Sequence, residues 1–281
     1  MRHARIVRFT LLVAGSIALI PAIAATRASS PGTTTPTFDA AHKVFRLDAG
    51  GVTYAMGVDA QGKLQTLYWG ARLAAGDPLG PATLAPERSS FDPSASLSPQ
   101  EYAGWGGAMT ATPALKIRLA DGNRDLVLRY DTYRIESGGL SVVLRDAQAG
   151  VAVTLHYTAD TSTGIIGRSA HIENTGQQSL VVDSAASAAW NLPRGNDYSL
   201  RYLTGTWAGE WHVQTRAITP GATVLESRRG STGDENNPWF AIGRGGEWSE
   251  THGDVWFGAL AWSGSWSIRV DEDILGQVRV V

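Results

Sequence analysis

The sequence contains no cysteine. That absence excludes thiol nucleophiles, cysteine metal sites and disulfide staples together. A chain of 281 residues, 43% of them hydrophobic, tolerates the lack in an oxidising compartment, because disulfides matter most where a core is too small to hold the fold. Basic runs are missing too. The 24 Lys and Arg residues are outnumbered by 26 acids and form no stripe that could follow a phosphate backbone, so nucleic acid is not expected as a partner. There is no G-x-S-x-G elbow and no phosphate-cradling glycine loop with a lysine. After Pro36 no segment keeps a 3.6-residue apolar stripe for three turns, the nearest being "SAASAAW" at 184–190, so long helices are not expected.

The apolar run from Phe9 to Ile20 is shorter than the roughly 20 residues that a bilayer span needs. Arg2, Arg5 and Arg8 precede it, and Pro21 with the small pair Ala22 and Ala24 follows. This is the layout of a secretory signal peptide over residues 1–24, cut after Ala24, which predicts a secreted or periplasmic protein with no membrane attachment after cleavage. Residues 25–40, beginning "ATRASSPGTTTP", are small, hydroxylated and interrupted by proline, and read as a flexible linker. The folded domain is expected over 41–281.

Within it the apolar period is two. "GGVTYAMGV" and "KLQTLYW" are joined by "DAQG"; "LSVVLRDAQAGVAVTLHY" places Leu140, Val142 and Leu144 on one face and returns with Val151, Val153 and Leu155. Both read as hairpins. "LKIRL", the turn "ADGNRD" and "LVLRYDTYRI" read as a third. The prediction is an all-β, antiparallel protein, too large for a simple seven-stranded sandwich and built from extended sheets or two stacked modules.

Eight of the ten tryptophans lie from Trp190 onward. In "DVWFGALAWSGSWSIRV" Trp256, Leu260, Trp262, Trp266 and Ile268 share one strand parity and read as core. Trp207 and Trp211 fit a core or a surface equally. "DENNPWF" at 234–240 sets carboxylates and amides beside a ring, the combination that a sugar's hydroxyl edge and apolar face require; Trp239 stands there either as a stacking platform or as core. Glycosidases use two carboxylates about 5–5.5 Å apart for retention. Asp234 with Glu235, Glu210, and "DED" at 271–273 are the visible acids, and none forms a recognisable catalytic pair. "HGD" at 252–254 is too sparse for a metal ligand set. No catalytic, metal or cofactor residue is assigned.

Several stretches occur together in one order: "GKLQTLYWGARL" (62–73), "PQEYAGWGG" (99–107), "TPALKIRLADG" (112–122), "YLTGTWAGEW" (202–211), "ESRRGSTGDENNPWFAI" (226–242) and "GDVWFGALAWSG" (253–264). The set resembles the N-terminal β-supersandwich of glycoside hydrolase family 36, the α-galactosidase family, a galactose mutarotase-like fold. The resemblance implies a retaining hydrolase of α-galactosides whose catalytic aspartates lie on a following (β/α)8 barrel. It also implies that the sandwich packs on that barrel, often in homo-oligomers, and lends loops to the sugar pocket. The apolar close at Val280 and Val281 leads us to expect a truncated chain with the barrel outside it, and no hydrolysis by these residues alone. Carried over by position, Asp77, Asp234, Asn237 and Trp239 are the expected substrate-binding residues. Two departures bear on the choice of sugar: Gly233, Asp234 and Glu235 stand where the family has Ser-His-Gln, and Met109 and Ala111 where it often has Asp and Arg. Two other readings are a stand-alone secreted carbohydrate-binding sandwich, and a scaffold that docks a barrel supplied by another chain.

Overall fold

A computed structural model describes residues 34–89, 91–245 and 248–281. The expected leader at 1–24 and the linker as far as residue 33 lie outside these described residues. The linker's last residues do not behave as a tether. Pro36 is buried, and β1 (Thr37–Asp39) pairs antiparallel with β2 (Val44–Ala49). Phe38 stacks on Phe45 at 4.5 Å. Backbone pairing and this ring contact together tie the segment down, so the ordered sheet begins inside the stretch assigned to the linker.

β3 (Val52–Val58) and β4 (Leu64–Ala71) complete a four-stranded meander. Asp59 caps the turn between them by accepting from the Gln61 and Lys63 amides. Among the described residues the one helix is α1 (Ser94–Leu97). After β5 (Leu115–Arg118) come β6 (Arg129–Glu136), β7 (Gly139–Asp146), β8 (Val151–Asp160) and β9 (Ile165–Asn174), a second meander. The inward side chains of the expected β7–β8 hairpin, Leu140, Val142, Leu144, Val151, Val153 and Leu155, are all buried.

The third expected hairpin does not form. The chain does turn after Leu119, but β5 pairs with β10 (Val181–Ala185) rather than with β6. Leu126 and Leu128, between turn and strand, are buried in the core, and this packing carries the segment away from β5.

The remaining strands are β11 (Trp190–Asn191), β12 (Tyr198–Thr206), β13 (Gly209–Ala217), β14 (Gly221–Ser227), β15 (Trp239–Arg244), β16 (Val255–Ala259), β17 (Trp266–Glu272) and β18 (Val278–Val280). They form two sheets, ordered β13-β12-β15-β16 and β11-β18-β17-β14. Tyr198, Leu200, Phe240, Ile242 and Trp256 from the first meet Leu225, Trp266, Ile268, Val270 and Val280 from the second in one apolar core. A separate core joins the two meanders and β5. Trp69 and Trp190, 4.9 Å apart, pack against both cores, and the Trp256 indole donates to the Trp69 carbonyl at 3.0 Å. The architecture is therefore an all-β pair of sandwiches sharing a tryptophan seam.

Trp262 is a correction. It is 61% exposed, because the chain bends between β16 and β17 and breaks the parity that would have turned its ring inward; its indole instead donates to the Ser265 carbonyl.

Candidate functional site

Alternation fixes the roles of the rings at the opening of β15. Phe240 belongs to the core, so its neighbour Trp239 lies on the other face of the sheet and is half-buried. The register places Arg201, Ala241 and Phe257 side by side on that outer face, with Leu203 opposite Val213. Phe257 and Val213 are 60% and 62% exposed. Beyond them Trp207, in the β12–β13 turn, and Trp211, near the start of β13, are both exposed. The outer face is thus apolar and open at this end. At the other end Trp248 covers it, with its ring 3.8 Å from the Arg201 guanidinium and its indole donating to the Ser199 hydroxyl at 2.7 Å.

The loop that enters β15 is pinned at its base. The Asn237 amide donates to the Leu203 carbonyl at 3.2 Å, the Trp239 amide donates to the Asn237 carbonyl at 2.7 Å, and the Asn236 side chain donates to the Glu226 carbonyl at 3.2 Å. The Asn237 side-chain amide nitrogen is buried and has no hydrogen-bond partner. A buried donor left unpaired is costly and is most often retained where something else completes it. Asp234 is exposed, and Glu235 pairs with Arg229. Of the four expected sugar-binding residues, Asp234, Asn237 and Trp239 therefore share one loop and strand start. Asp77 does not join them through any hydrogen bond or ring contact among the described residues. It is exposed, and its carboxylate accepts from the Ala74 amide at 2.7 Å, closing a local turn.

The other acids also hold local structure. Glu210 accepts from the Ala208 amide. The two Asp271 carboxylate oxygens accept from the one Arg269 Nε–H, at 2.8 and 3.1 Å, which they share with the Thr112 hydroxyl. Asp273 caps the turn at Leu275 and Gln277. At 252–254 the His252 ring bonds to the Ser249 hydroxyl, and among the described residues no group of three or more His, Cys, Asp or Glu side chains could hold a metal.

Glu272 is the exception among these acids. It is buried, with one carboxylate oxygen lacking a partner, and burial, reinforced by the Asp273 charge, pushes its carboxyl above the usual range. A raised folded-state value means that the folded protein holds this proton more tightly than the unfolded chain. Glu272 therefore favours folding in acid and loses that contribution as pH rises through its folded pKa. Glu272→Gln is expected to raise the melting temperature at pH 7, with the gain shrinking toward pH 4. A gain that persists unchanged at pH 4 would contradict the assignment.

Residues that the sequence reading missed include Phe257 and Val213, whose exposure depends on which neighbour covers each face and so leaves no mark in the alternation itself.

Residues 62–281 match the family model described as the glycosyl hydrolase family 36 N-terminal domain. Among curated proteins, the alpha-galactosidase AgaA of Geobacillus stearothermophilus is 31% identical over 264 residues, covering 85% of this chain and 36% of that protein. Alpha-galactosidase Mel36A of Lactobacillus acidophilus is 28% identical, covering 86% of this chain and 37% of its own length. The crystal structure of alpha-galactosidase AgaB from Geobacillus stearothermophilus superposes with a TM-score of 0.80 at 30% identity, over 88% of this chain and 37% of that one. A variant of AgaA solved in complex with raffinose superposes at 0.75. The chain spans a little over a third of the length of these relatives.

Proposed function

The chain belongs to glycosyl hydrolase family 36 as its N-terminal domain, and from that membership we propose that it serves an exported α-galactosidase by packing on a catalytic barrel and shaping the pocket for an α-galactoside. The observation that carries this reading is the pairing of coverage: most of this chain aligns to little more than a third of each α-galactosidase. Each acid discussed above is engaged in a turn or an ion pair, except exposed Asp234 and buried Glu272.

The apolar outer face of the β13-β12-β15-β16 sheet is the surface on which the barrel would rest. Its open end carries Phe257, Val213 and Trp211, large exposed rings and aliphatics of the kind that anchor interfaces. Docking there would enclose the neighbourhood of Trp239 and give the unpaired Asn237 amide a partner, while Asp234 would offer a carboxylate to sugar hydroxyls at its rim and Asp77, apart from this loop, another.

The purified 281-residue chain is expected to show no turnover of a chromogenic α-galactoside or of raffinose; hydrolysis at ordinary enzymatic rates would refute the division of labour. Export by the leader at 1–24 makes a separate prediction, that the mature protein recovered from periplasm or medium begins at Ala25. A protein retaining Met1 in either compartment would overturn it.

A further inference from the structure

A cleft of about 600 Å³ opens between the turn that follows β5 and the turn joining β7 to β8. None of Asp77, Asp234, Asn237 or Trp239 lines it. Arg129, Tyr130 and Asp131, three consecutive residues of one strand, all do. A regular pleat cannot present three neighbours to one side, because successive side chains alternate. The β6–β7 pairing slips between Tyr130 and Thr132, and this bulge at Asp131 redirects the side chains, a device found most often at edges and beside binding sites.

Two aspartates build the walls. Asp146 accepts from the Val127 amide at 2.7 Å on one side and from the Gln148 and Ala149 amides at 3.0 and 2.9 Å on the other, fastening both turns together. Asp125 accepts from the Gly107 amide at 2.9 Å. The Asn123 side-chain oxygen Oδ1 accepts from the Asp125 amide at 3.0 Å, which leaves its NH2 group without a bond among the described residues.

The charges on the cleft are unequally matched. Arg129 stands opposite Arg145 in the ladder, where like charges repel. Arg145 is drawn to Asp131 at 3.1 Å, and Arg129 makes no side-chain hydrogen bond among the described residues. Behind it Lys63 donates to the Leu128 carbonyl and is held down to about 8 by burial and by the charge of Arg129. The Tyr130 hydroxyl and the Gln148 amide are likewise without side-chain partners among the described residues.

A cleft with free donors on Arg129, Asn123 and Gln148 beside the carboxylates of Asp121, Asp125, Asp131 and Asp146 offers donors and acceptors to one ligand together. Vicinal hydroxyls satisfy both sets at once, donating to the aspartates and accepting from the guanidinium. The geometry points to a binding site in this cleft for a neutral sugar of one or two rings, additional to the loop at 234–239.

Calorimetric titration of the full chain with galactose, glucose and raffinose tests it. Binding of at least one sugar is expected, weakened about tenfold or more by Arg129→Ala and by Gln148→Ala and unchanged by Trp239→Ala. Gln148 lies on an exposed turn, so its variant keeps the test sound if Arg129→Ala folds poorly. No heat with any of the three sugars overturns the proposal. So does binding that Trp239→Ala abolishes while both cleft variants retain it, an outcome that would leave the 234–239 loop as the sugar site. Heat on addition of calcium chloride alone, lost in Asp121→Asn and Asp125→Asn while no sugar binds, would make the cleft a cation site and would equally overturn it.

Discussion

Arg168→Met is expected to lower the stability of the chain by about 3–5 kcal/mol, the usual cost of removing one partner from a buried ion pair. The guanidinium sits 3.0 Å from the Glu101 carboxylate, with the two side chains only 2% and 0% exposed. It also donates to the Ala189 carbonyl at 2.6 Å and to the Glu101 carbonyl at 3.1 Å, and lies over the rings of Tyr157 and Trp190. Glu101 is held in turn by the hydroxyls of Tyr54 at 2.6 Å, Tyr157 at 2.9 Å and Thr66. The dense set of donors would partly stabilise the abandoned carboxylate, but the Ala189 and Glu101 carbonyls would lose the Arg168 donor. Against a typical total of about 5–15 kcal/mol, that loss brings the fold close to its threshold. Urea denaturation measures it. A loss below about 1 kcal/mol would mean that solvent reaches the pair, and the double variant Arg168→Met with Glu101→Leu should recover part of the loss if the cost is an uncompensated charge.

The same cluster shows where sequence reading stops. Glu101 precedes Tyr102 in a stretch with no evident pattern, and its partner Arg168 lies 67 positions away, so no local rule links them. Pairing of β5 with β10 fails to register for the same reason, since Arg118 meets Val181 across an entire four-stranded sheet. The hairpins of β3 with β4 and β7 with β8 were legible because a short turn and strict alternation specify them locally. In the candidate site, Pro238 and the polar loop before it marked the entry to β15. Which of Trp239 and Phe240 would face the core could not be read from two adjacent rings; it depends on how β12 and β16 pair with the strand. Asp77 illustrates the converse case. Its chemistry suits a sugar hydroxyl, yet within this chain it closes a turn.

The second large effect is expected at Gly243. In β15 this glycine lies under the Trp248 ring, and an added Cβ would fall within the indole itself. The backbone imposes no demand for glycine there, since Gly243 is not among the glycines with positive φ, so close approach of the ring is the whole reason for the residue. Gly243→Ala must expel Trp248, which is 6% exposed, together with its bond to Ser199 and its stacking on Arg201. Loss of a buried ring of this size costs about 2–4 kcal/mol when the ring is displaced rather than deleted. The consequence reaches beyond stability, because Trp248 is what closes this end of the outer sheet face, and its departure would extend the open apolar surface over Ala241. Gly243→Ala should therefore lower the melting temperature and raise binding of a hydrophobic dye together. In a Trp248→Ala background the same substitution should cost little, because the side chain it would strike is gone. Additive losses in the double variant would show that Gly243 is required for some reason other than the ring above it.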